Sequence, residues 1–201
     1  KVIQYLLVGN VAEILVMTVA PFFGLPLPLT PLQILWINLV TDGPPAMALI
    51  AEEAEAGTMS QPPRPLAQPI VGSREWIRAI ILSSLLTACA LYTGWLDWKA
   101  GDESWRESVF LVLAMGQLFL AFSHRSESTP VWRLKNNPAL LWTAFATLLA
   151  QGLLLSFEFT RHALGLKEMM NTDWVTLLIA ALLPSLVFEI WKSARSVSLK
   201  R

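Results

Sequence analysis

The side chains of this sequence that could bind a metal cation lie inside apolar segments. Each offers an oxygen atom rather than sulfur or an imidazole nitrogen. They are Asn10, Glu13, Asn38, Thr41, Asp42 and Gln117. Oxygen ligands favour a hard ion such as Ca²⁺, Na⁺ or K⁺ over copper or zinc. Ca²⁺ takes about six to eight oxygens, whereas Mg²⁺ gives up its water reluctantly and fits a dehydrated site less well.

The spacing of these residues groups them on helix faces. In GNVAEIL, Asn10 and Glu13 are three residues apart, and in NLVTD, Asn38 is followed by Thr41 and Asp42 at the third and fourth positions. Residues three or four apart lie on the same face of a helix. Polar groups deep in a membrane are costly and usually face the bundle interior or a water-filled path. We therefore expect both faces to point inwards.

A Gly-Pro-Pro sequence, Gly43, Pro44 and Pro45, directly follows Asp42. Proline lacks an N–H and clashes with the carbonyl four residues earlier, so Pro44 frees the carbonyl of Val40 and Pro45 that of Thr41. Such backbone is tolerated at membrane depth only where it lines a cavity or finds another partner. We predict a broken helix whose bare carbonyls lie beside a bound cation, a common transporter device.

The composition indicates a membrane protein. The chain has 201 residues, of which 54% are hydrophobic, and its mean hydropathy is +0.51. A spanning helix needs roughly 20 mainly apolar residues. We predict an all-α, six-helix integral membrane bundle and no nucleic-acid partner, because no basic tract is present. The predicted spans are about 2–23, 31–50, 76–96, 108–123, 138–157 and 173–191.

The positive charges predict an orientation. Six spans place both ends of the chain on one side, together with loops 51–75 and 124–137. That side carries eleven lysines and arginines and the other side carries four. Loops rich in lysine and arginine stay in the cytoplasm, so we expect both ends to be cytoplasmic, and the membrane to be the plasma membrane if the source is bacterial.

Several stretches resemble one family, the P-type cation-transporting ATPases, and most closely its calcium pumps. LPLPLTPLQILWINLVTDGPPAMAL followed by MSQPPRP is similar to the sixth transmembrane helix of these pumps and its following loop. GNVAE resembles their fifth helix, AFSHRSE the end of the eighth and LLPSLVFEIWK the tenth. The resemblance covers essentially the whole chain as helices five to ten, and is weakest across helices seven to nine.

The resemblance implies roles for the six residues. Asn38 and Asp42 would bind an ion shared with helix four, and Asp42 would bridge to a second site that includes Asn10, Glu13 and Thr41. Gln117 falls where two-ion calcium pumps have a glutamate, which leaves the number of ions open. Asn38 argues against sodium–potassium pumps, which have an aspartate there, while a bacterial Na⁺ or mixed-cation pump remains an alternative.

The resemblance also defines what this chain lacks. It contains no DKTG phosphorylation motif, no TGE motif and no PEGL-type motif of helix four. Because it starts at Lys1 with a helical pattern already under way, we expect it to be a fragment of a longer protein. The upstream helices and cytoplasmic domains would be its partners, besides lipid and the transported Ca²⁺, and would bring the Mg²⁺ and ATP. We expect no ATP hydrolysis by the fragment alone.

Two other classes of function remain open at this stage. A six-span secondary cation carrier or channel subunit would use a broken-helix site without ATP. A purely structural membrane protein would leave Asp42 and the following Gly-Pro-Pro unexplained. The prediction is therefore the ion-binding membrane part of an ATP-driven cation pump, with calcium as the cargo and protons as a possible counter-ion.

Overall fold

The computed structural model is an all-helical assembly. It describes residues 1–52, 65, 69–169 and 173–198, and residues 196–198 by their backbone alone. No strand occurs among the described residues. The prediction of an all-α membrane bundle is confirmed. The helices are α1 (Val2–Val19), α2 (Pro31–Trp36), α3 (Gly43–Ile50), α4 (Ser73–Lys99), α5 (Trp105–Ser123), α6 (Pro138–Ser156), α7 (Glu158–Leu164) and α8 (Trp174–Ser198).

Five of the helical segments described are long and apolar enough to cross a bilayer: α1 with the 3₁₀ turn Ala20–Phe23, then α4, α5, α6 and α8. A sixth segment covers residues 31–50 as α2, a π-helical stretch Ile37–Asp42 and α3. The short helix α7 was not predicted and lies in the loop after α6. Much of the predicted loop 51–75 lies outside the described residues.

Local sequence signals set where the helices begin. Thr30 caps α2 with a reciprocal pair of bonds: Gln33 N donates to Thr30 Oγ1 at 3.3 Å, and Thr30 N donates to Gln33 Oε1 at 2.9 Å. Pro31 follows at the first helical position, where its missing N–H is harmless. Asn137 caps α6 with a single bond, its side-chain oxygen accepting from Leu140 N at 3.0 Å. Both segments near the polar residues therefore have fixed starting points.

The centre of the assembly is α5, which packs against α4 and α8 and is buried along most of its length. Gly94 and Gly116 allow this approach, because a Cβ at either position would overlap Val109 or Leu86. The outer helices instead expose many large apolar side chains, as expected where the solvent is hydrocarbon. Gln117, on α5, is therefore held in the middle of the bundle.

Hydrogen bonds from α4 fix the position of α1. Ser83 Oγ donates to the carbonyl of Val8 at 2.8 Å, and Thr87 Oγ1 donates to that of Ala12 at 3.2 Å. Such contacts between a hydroxyl and a neighbouring helix backbone stabilise helix pairs in lipid. They hold the middle of α1, and with it Glu13, in register with the core.

The two ends of the bundle have separate polar networks. At one end, Arg125 Nε donates to Glu52 Oε2 at 2.8 Å, and Asn137 Nδ2 donates to the same oxygen at 2.7 Å. A cavity at this end is lined by Lys1 together with Glu52 and Arg125. At the other end, Gln33 Nε2 donates to the carbonyl of Leu164 at 3.2 Å. Lys1, Glu52 and the loop after α5 therefore lie at one end of the bundle.

Candidate cation site

The segment that precedes Gly43 is π-helical. It covers Ile37–Asp42, and α-helix resumes at Gly43, so the predicted break takes the form of a wide helical turn in a continuous segment. The carbonyl of Val40, which Pro44 leaves without its helical donor, accepts a hydrogen bond from Thr147 Oγ1 on α6 at 3.2 Å. Single π turns occur often at functional sites. This one lies beside the two carboxylates.

Glu13 is buried and receives hydrogen bonds from two other segments. Gln117 Nε2 donates to Glu13 Oε1 at 3.0 Å, and Asn38 Nδ2 donates to Glu13 Oε2 at 2.9 Å. Only 5% of Glu13 is exposed. These contacts join α1, α5 and the π-helical segment at one carboxylate, so three of the predicted residues lie together.

Asp42 is the second buried carboxylate, with 1% of its surface exposed. Tyr5 Oη donates to Asp42 Oδ1 at 2.9 Å. A Cβ built on Gly9 would lie 3.0 Å from both Asp42 Oδ2 and Gln117 Nε2. Asp42 Oδ2 and Gln117 Nε2 therefore both lie next to Gly9, and Gln117 is also hydrogen-bonded to Glu13.

Three buried oxygens near this point have no hydrogen-bond partner in the part of the chain that the structure describes. They are Asp42 Oδ2, Gln117 Oε1 and Thr41 Oγ1. Buried polar atoms are nearly always paired, so each exception needs an explanation. Thr41 faces a different neighbourhood, a small cavity that it lines with Ala114 and Thr147. Two of the three oxygens thus belong to the cluster around Gly9.

The predicted residues do not all reach the cluster. Asn10 and Asn38 are exposed on the surface of this chain. Asn38 still donates to Glu13 through its amide. Asn10 lies three residues before Glu13 but is exposed, so it lies outside the cluster. Pro45 is buried, and Gly43 and Pro44 are half-buried at the start of α3. The cluster consists of Glu13, Asn38, Asp42 and Gln117, with Thr41 adjacent.

Sequence reasoning missed two contributors, Tyr5 and Gly9. Both have a signal in the sequence, because Tyr5, Gly9 and Glu13 are spaced by four residues and so share one face of α1. Tyr5 supplies a hydroxyl donor and Gly9 supplies room. Gly9 has no polar side chain, so it is not found when only polar residues are considered.

The donor set suits a hard cation. Among the residues described, no three or more His, Cys, Asp or Glu side chains group together, so the carboxylates are two and the other groups are amides and hydroxyls. Carboxylate, amide and hydroxyl oxygens are ligands for Ca²⁺ and the alkali ions. The arrangement brings such oxygens from three membrane segments to one buried place.

Comparison with known proteins identifies the family. The family model described as "Cation transporting ATPase, C-terminus" matches residues 26–194. The chain belongs to this family. The resemblance to P-type cation pumps, with calcium pumps as the nearest group, is thereby confirmed. Membership in this family, together with the apolar helices, makes the chain a multi-pass integral membrane protein.

Individual relatives are similar over large parts of the chain. It is 36% identical over 132 residues, 64% of its length, to "Calcium-transporting ATPase" of Bacillus subtilis. It is 37% identical over 136 residues, 67% of its length, to "Probable cation-transporting ATPase F" of Mycobacterium tuberculosis. It is 29% identical over 201 residues, 98% of its length, to "Calcium-transporting ATPase 1" of Lactococcus lactis. These matches span 15%, 15% and 23% of the relatives' own lengths.

Proposed function

We propose that this chain is the ion-binding membrane part of an ATP-driven pump that exports or sequesters Ca²⁺. The observation that carries the proposal is a pair of buried carboxylates in the middle of the bundle. Glu13 accepts a hydrogen bond from the Gln117 amide, and Asp42 lies with Gln117 beside Gly9. Ionisable groups within membrane segments are rare and by default indicate an ion pathway or another functional site. The names of the relatives support calcium as the cargo.

The charge of the pair favours a divalent cation. Two ionised carboxylates without a counter-charge are very costly in a low-dielectric interior. One Ca²⁺ balances both Glu13 and Asp42, whereas one Na⁺ or K⁺ leaves a negative charge behind. No lysine or arginine is hydrogen-bonded to either carboxylate in the described part of the chain.

The amides around the pair suit binding and release. Asn38 and Gln117 turn their NH₂ groups towards Glu13, and Gln117 Oε1 has no partner in the described chain. A side-chain amide that rotates by half a turn exchanges its donor for its acceptor. A cation and these N–H donors therefore compete for the same carboxylate oxygens. Thr41, buried next to Asp42 in the chain, and Asn10, exposed on α1, complete the proposed ligand set; upstream helices would cover Asn10.

The rest of the cycle belongs to parts of the protein upstream of this chain. ATP with Mg²⁺ would phosphorylate an aspartate in those domains, and movements of the first helices would expose the site to alternate sides of the membrane. Both ends of this chain would face the cytoplasm, and the membrane would be the plasma membrane if the source is bacterial. Residues 51–75 would contact the phosphorylation domain.

Protons would return through the same carboxylates. When the cation leaves, Glu13 and Asp42 lose their counter-charge, and taking up protons removes the cost of two neighbouring negative charges. Proton countertransport by reconstituted full-length protein is the measurement for this step. A Glu13→Gln variant that pumps the same number of protons per cation would exclude Glu13 from it.

The test is ATP hydrolysis by the full-length protein as a function of free Ca²⁺, with the wild type beside Asp42→Asn. We expect Ca²⁺ to stimulate the wild type and not the variant. The matched control is Asp97→Asn, since Asp97 is an aspartate on α4 that bonds Ser108 and contacts no residue of the cluster.

Each other outcome contradicts part of the proposal. Stimulation by Na⁺, K⁺ or Mn²⁺ but not Ca²⁺ would replace calcium as the cargo. Hydrolysis without any cation dependence, or a parent gene with no ATP-binding domains, would favour a secondary carrier. Equal Ca²⁺ stimulation of wild type and Asp42→Asn would remove Asp42 from the site.

A further inference from the structure

A groove between α4 and α8 combines apolar walls with a basic mouth. Its volume is about 380 Å³. Ile77, Ile81 and Val187 form its walls, and Ile77 and Ile81 are 58% and 57% exposed. Arg74, Arg78 and Arg195 line its mouth. None of these residues belongs to the cation site.

The three arginines come together because α4 begins where α8 approaches its end. Arg74 is the second residue of α4, and Arg195 lies in the last turn of α8. This end of the bundle also holds Arg78, whose partner Glu127 lies in the loop after α5. The groove therefore opens at the level of the membrane surface and runs inwards along two helices.

The arginines differ in how well their charge is balanced. Arg78 pairs with Glu127 at 3.2 Å and approaches Glu75 at 3.9 Å. Arg74 and Arg195 are exposed, and among the described residues neither forms an ion pair with a carboxylate. Arg195 lies over the ring of Trp191, 5.4 Å from its centre, which orients its guanidinium at the rim. The mouth thus keeps a positive charge.

We propose that this groove binds one anionic phospholipid from the leaflet at this end of the bundle. Guanidinium groups bind phosphate oxygens in bidentate geometry, so Arg74 and Arg195 would hold the headgroup phosphate. An acyl chain would lie along Ile77, Ile81 and Val187. Basic pockets between membrane helices are suited to anionic headgroups. The proposal is independent of the transported ion.

The test is a lipid titration of the full-length protein in detergent, followed by native mass spectrometry, with phosphatidylglycerol as the probe. Phosphatidylcholine with the same acyl chains is the zwitterionic comparison. An arginine near the membrane surface contributes about 1 kcal/mol to the binding of anionic lipid, which is about fivefold in affinity. We expect Arg74→Gln and Arg195→Gln each to weaken phosphatidylglycerol binding about fivefold, and both together about thirtyfold.

The matched control is Arg133→Gln, which removes an exposed arginine at the same end but outside the groove. It should leave phosphatidylglycerol binding unchanged. Thermal unfolding without added lipid should differ little among the variants, because among the described residues neither Arg74 nor Arg195 forms an ion pair and the Arg195–Trp191 contact is exposed.

Three results would overturn the proposal. Equal binding of phosphatidylglycerol and phosphatidylcholine by the wild type would remove the role of charge. An Arg133→Gln effect as large as that of Arg74→Gln would show binding by general surface charge. Displacement of phosphatidylglycerol by an equal concentration of glycerol phosphate would assign the mouth to a soluble phosphate compound instead of a lipid.

Discussion

Replacing Gly9 by alanine should weaken the proposed cation site although no proposed ligand residue is replaced. A Cβ at Gly9 would lie 3.0 Å from Asp42 Oδ2 and 3.0 Å from Gln117 Nε2. Ordinary contacts of a methyl group with these atoms are several tenths of an ångström longer. Because Gly9 is inside α1, its backbone has little freedom to retreat. The two side chains must therefore move.

The size of the effect follows from two opposing terms. Alanine is favoured over glycine in a helix interior by about 1 kcal/mol. Overpacking a filled site costs about 1–3 kcal/mol, and here the displaced atoms are those of Asp42 and Gln117. The overpacking falls on the geometry of the cation site, so we expect Ca²⁺ affinity to fall on the order of tenfold, which corresponds to about 1.4 kcal/mol.

The assay is the free Ca²⁺ concentration that half-activates ATP hydrolysis by the full-length protein. Gly152→Ala is the matched control, since Gly152 lies in the α6 helix with no atom near a new Cβ. It gains the same helix preference and should leave half-activation unchanged. An unchanged value for Gly9→Ala, or equal shifts for both variants, would refute the packing of Asp42 and Gln117 over Gly9.

Further predictions concern stability. Thr147→Val should destabilise the full-length protein by about 1–2 kcal/mol, because it leaves the carbonyl of Val40 unpaired. The control Thr143→Val loses only a hydrogen bond within its own helix and should not destabilise the protein. Burial raises the pKa of Glu52, but hydrogen bonds from Arg125 and Asn137 lower it more, so the net pKa lies below the usual 4.5. The ionised Glu52 therefore stabilises the folded protein above pH 4.5, and this contribution is lost as the pH falls through the lowered pKa of Glu52. The difference in thermal unfolding midpoint between wild type and Glu52→Gln should be constant near neutral pH and shrink below that value.

The sequence predicts those parts of this site whose residue types are unusual in a membrane helix. Glu13 and Asp42 are carboxylates in apolar helices, and such groups have few alternatives to an inward position. Pro44 and Pro45 remove helical hydrogen bonds by their own covalent structure, so an irregular segment near Val40 follows without knowledge of the fold. Gln151 is a polar residue in an apolar helix, and it joins α6 to α2 by accepting a hydrogen bond from Trp36 Nε1 at 2.9 Å.

Other parts depend on tertiary packing and could not be predicted. The sequence leaves open whether a freed carbonyl meets a cation or a side chain, and in the structure Val40 meets Thr147 from a helix about a hundred residues later. The π-helical turn changes which residues share a face, so Asn38 is exposed while Asp42 is buried. Asn10 is exposed because the face of α1 that packs is set by Gly9 and Glu13.

Glu13 and Asp42 are the residues that we propose to bind the transported cation. Equilibrium binding of radioactive Ca²⁺ to the full-length protein without ATP tests this proposal directly, with Glu13→Gln and Asp42→Asn beside the wild type. The control is Glu107→Gln, a buried glutamate at the far end of α5 that bonds Lys167 N. We expect high-affinity Ca²⁺ binding that both site variants lose and the control keeps. Binding that survives in both site variants would exclude Glu13 and Asp42 as ligands.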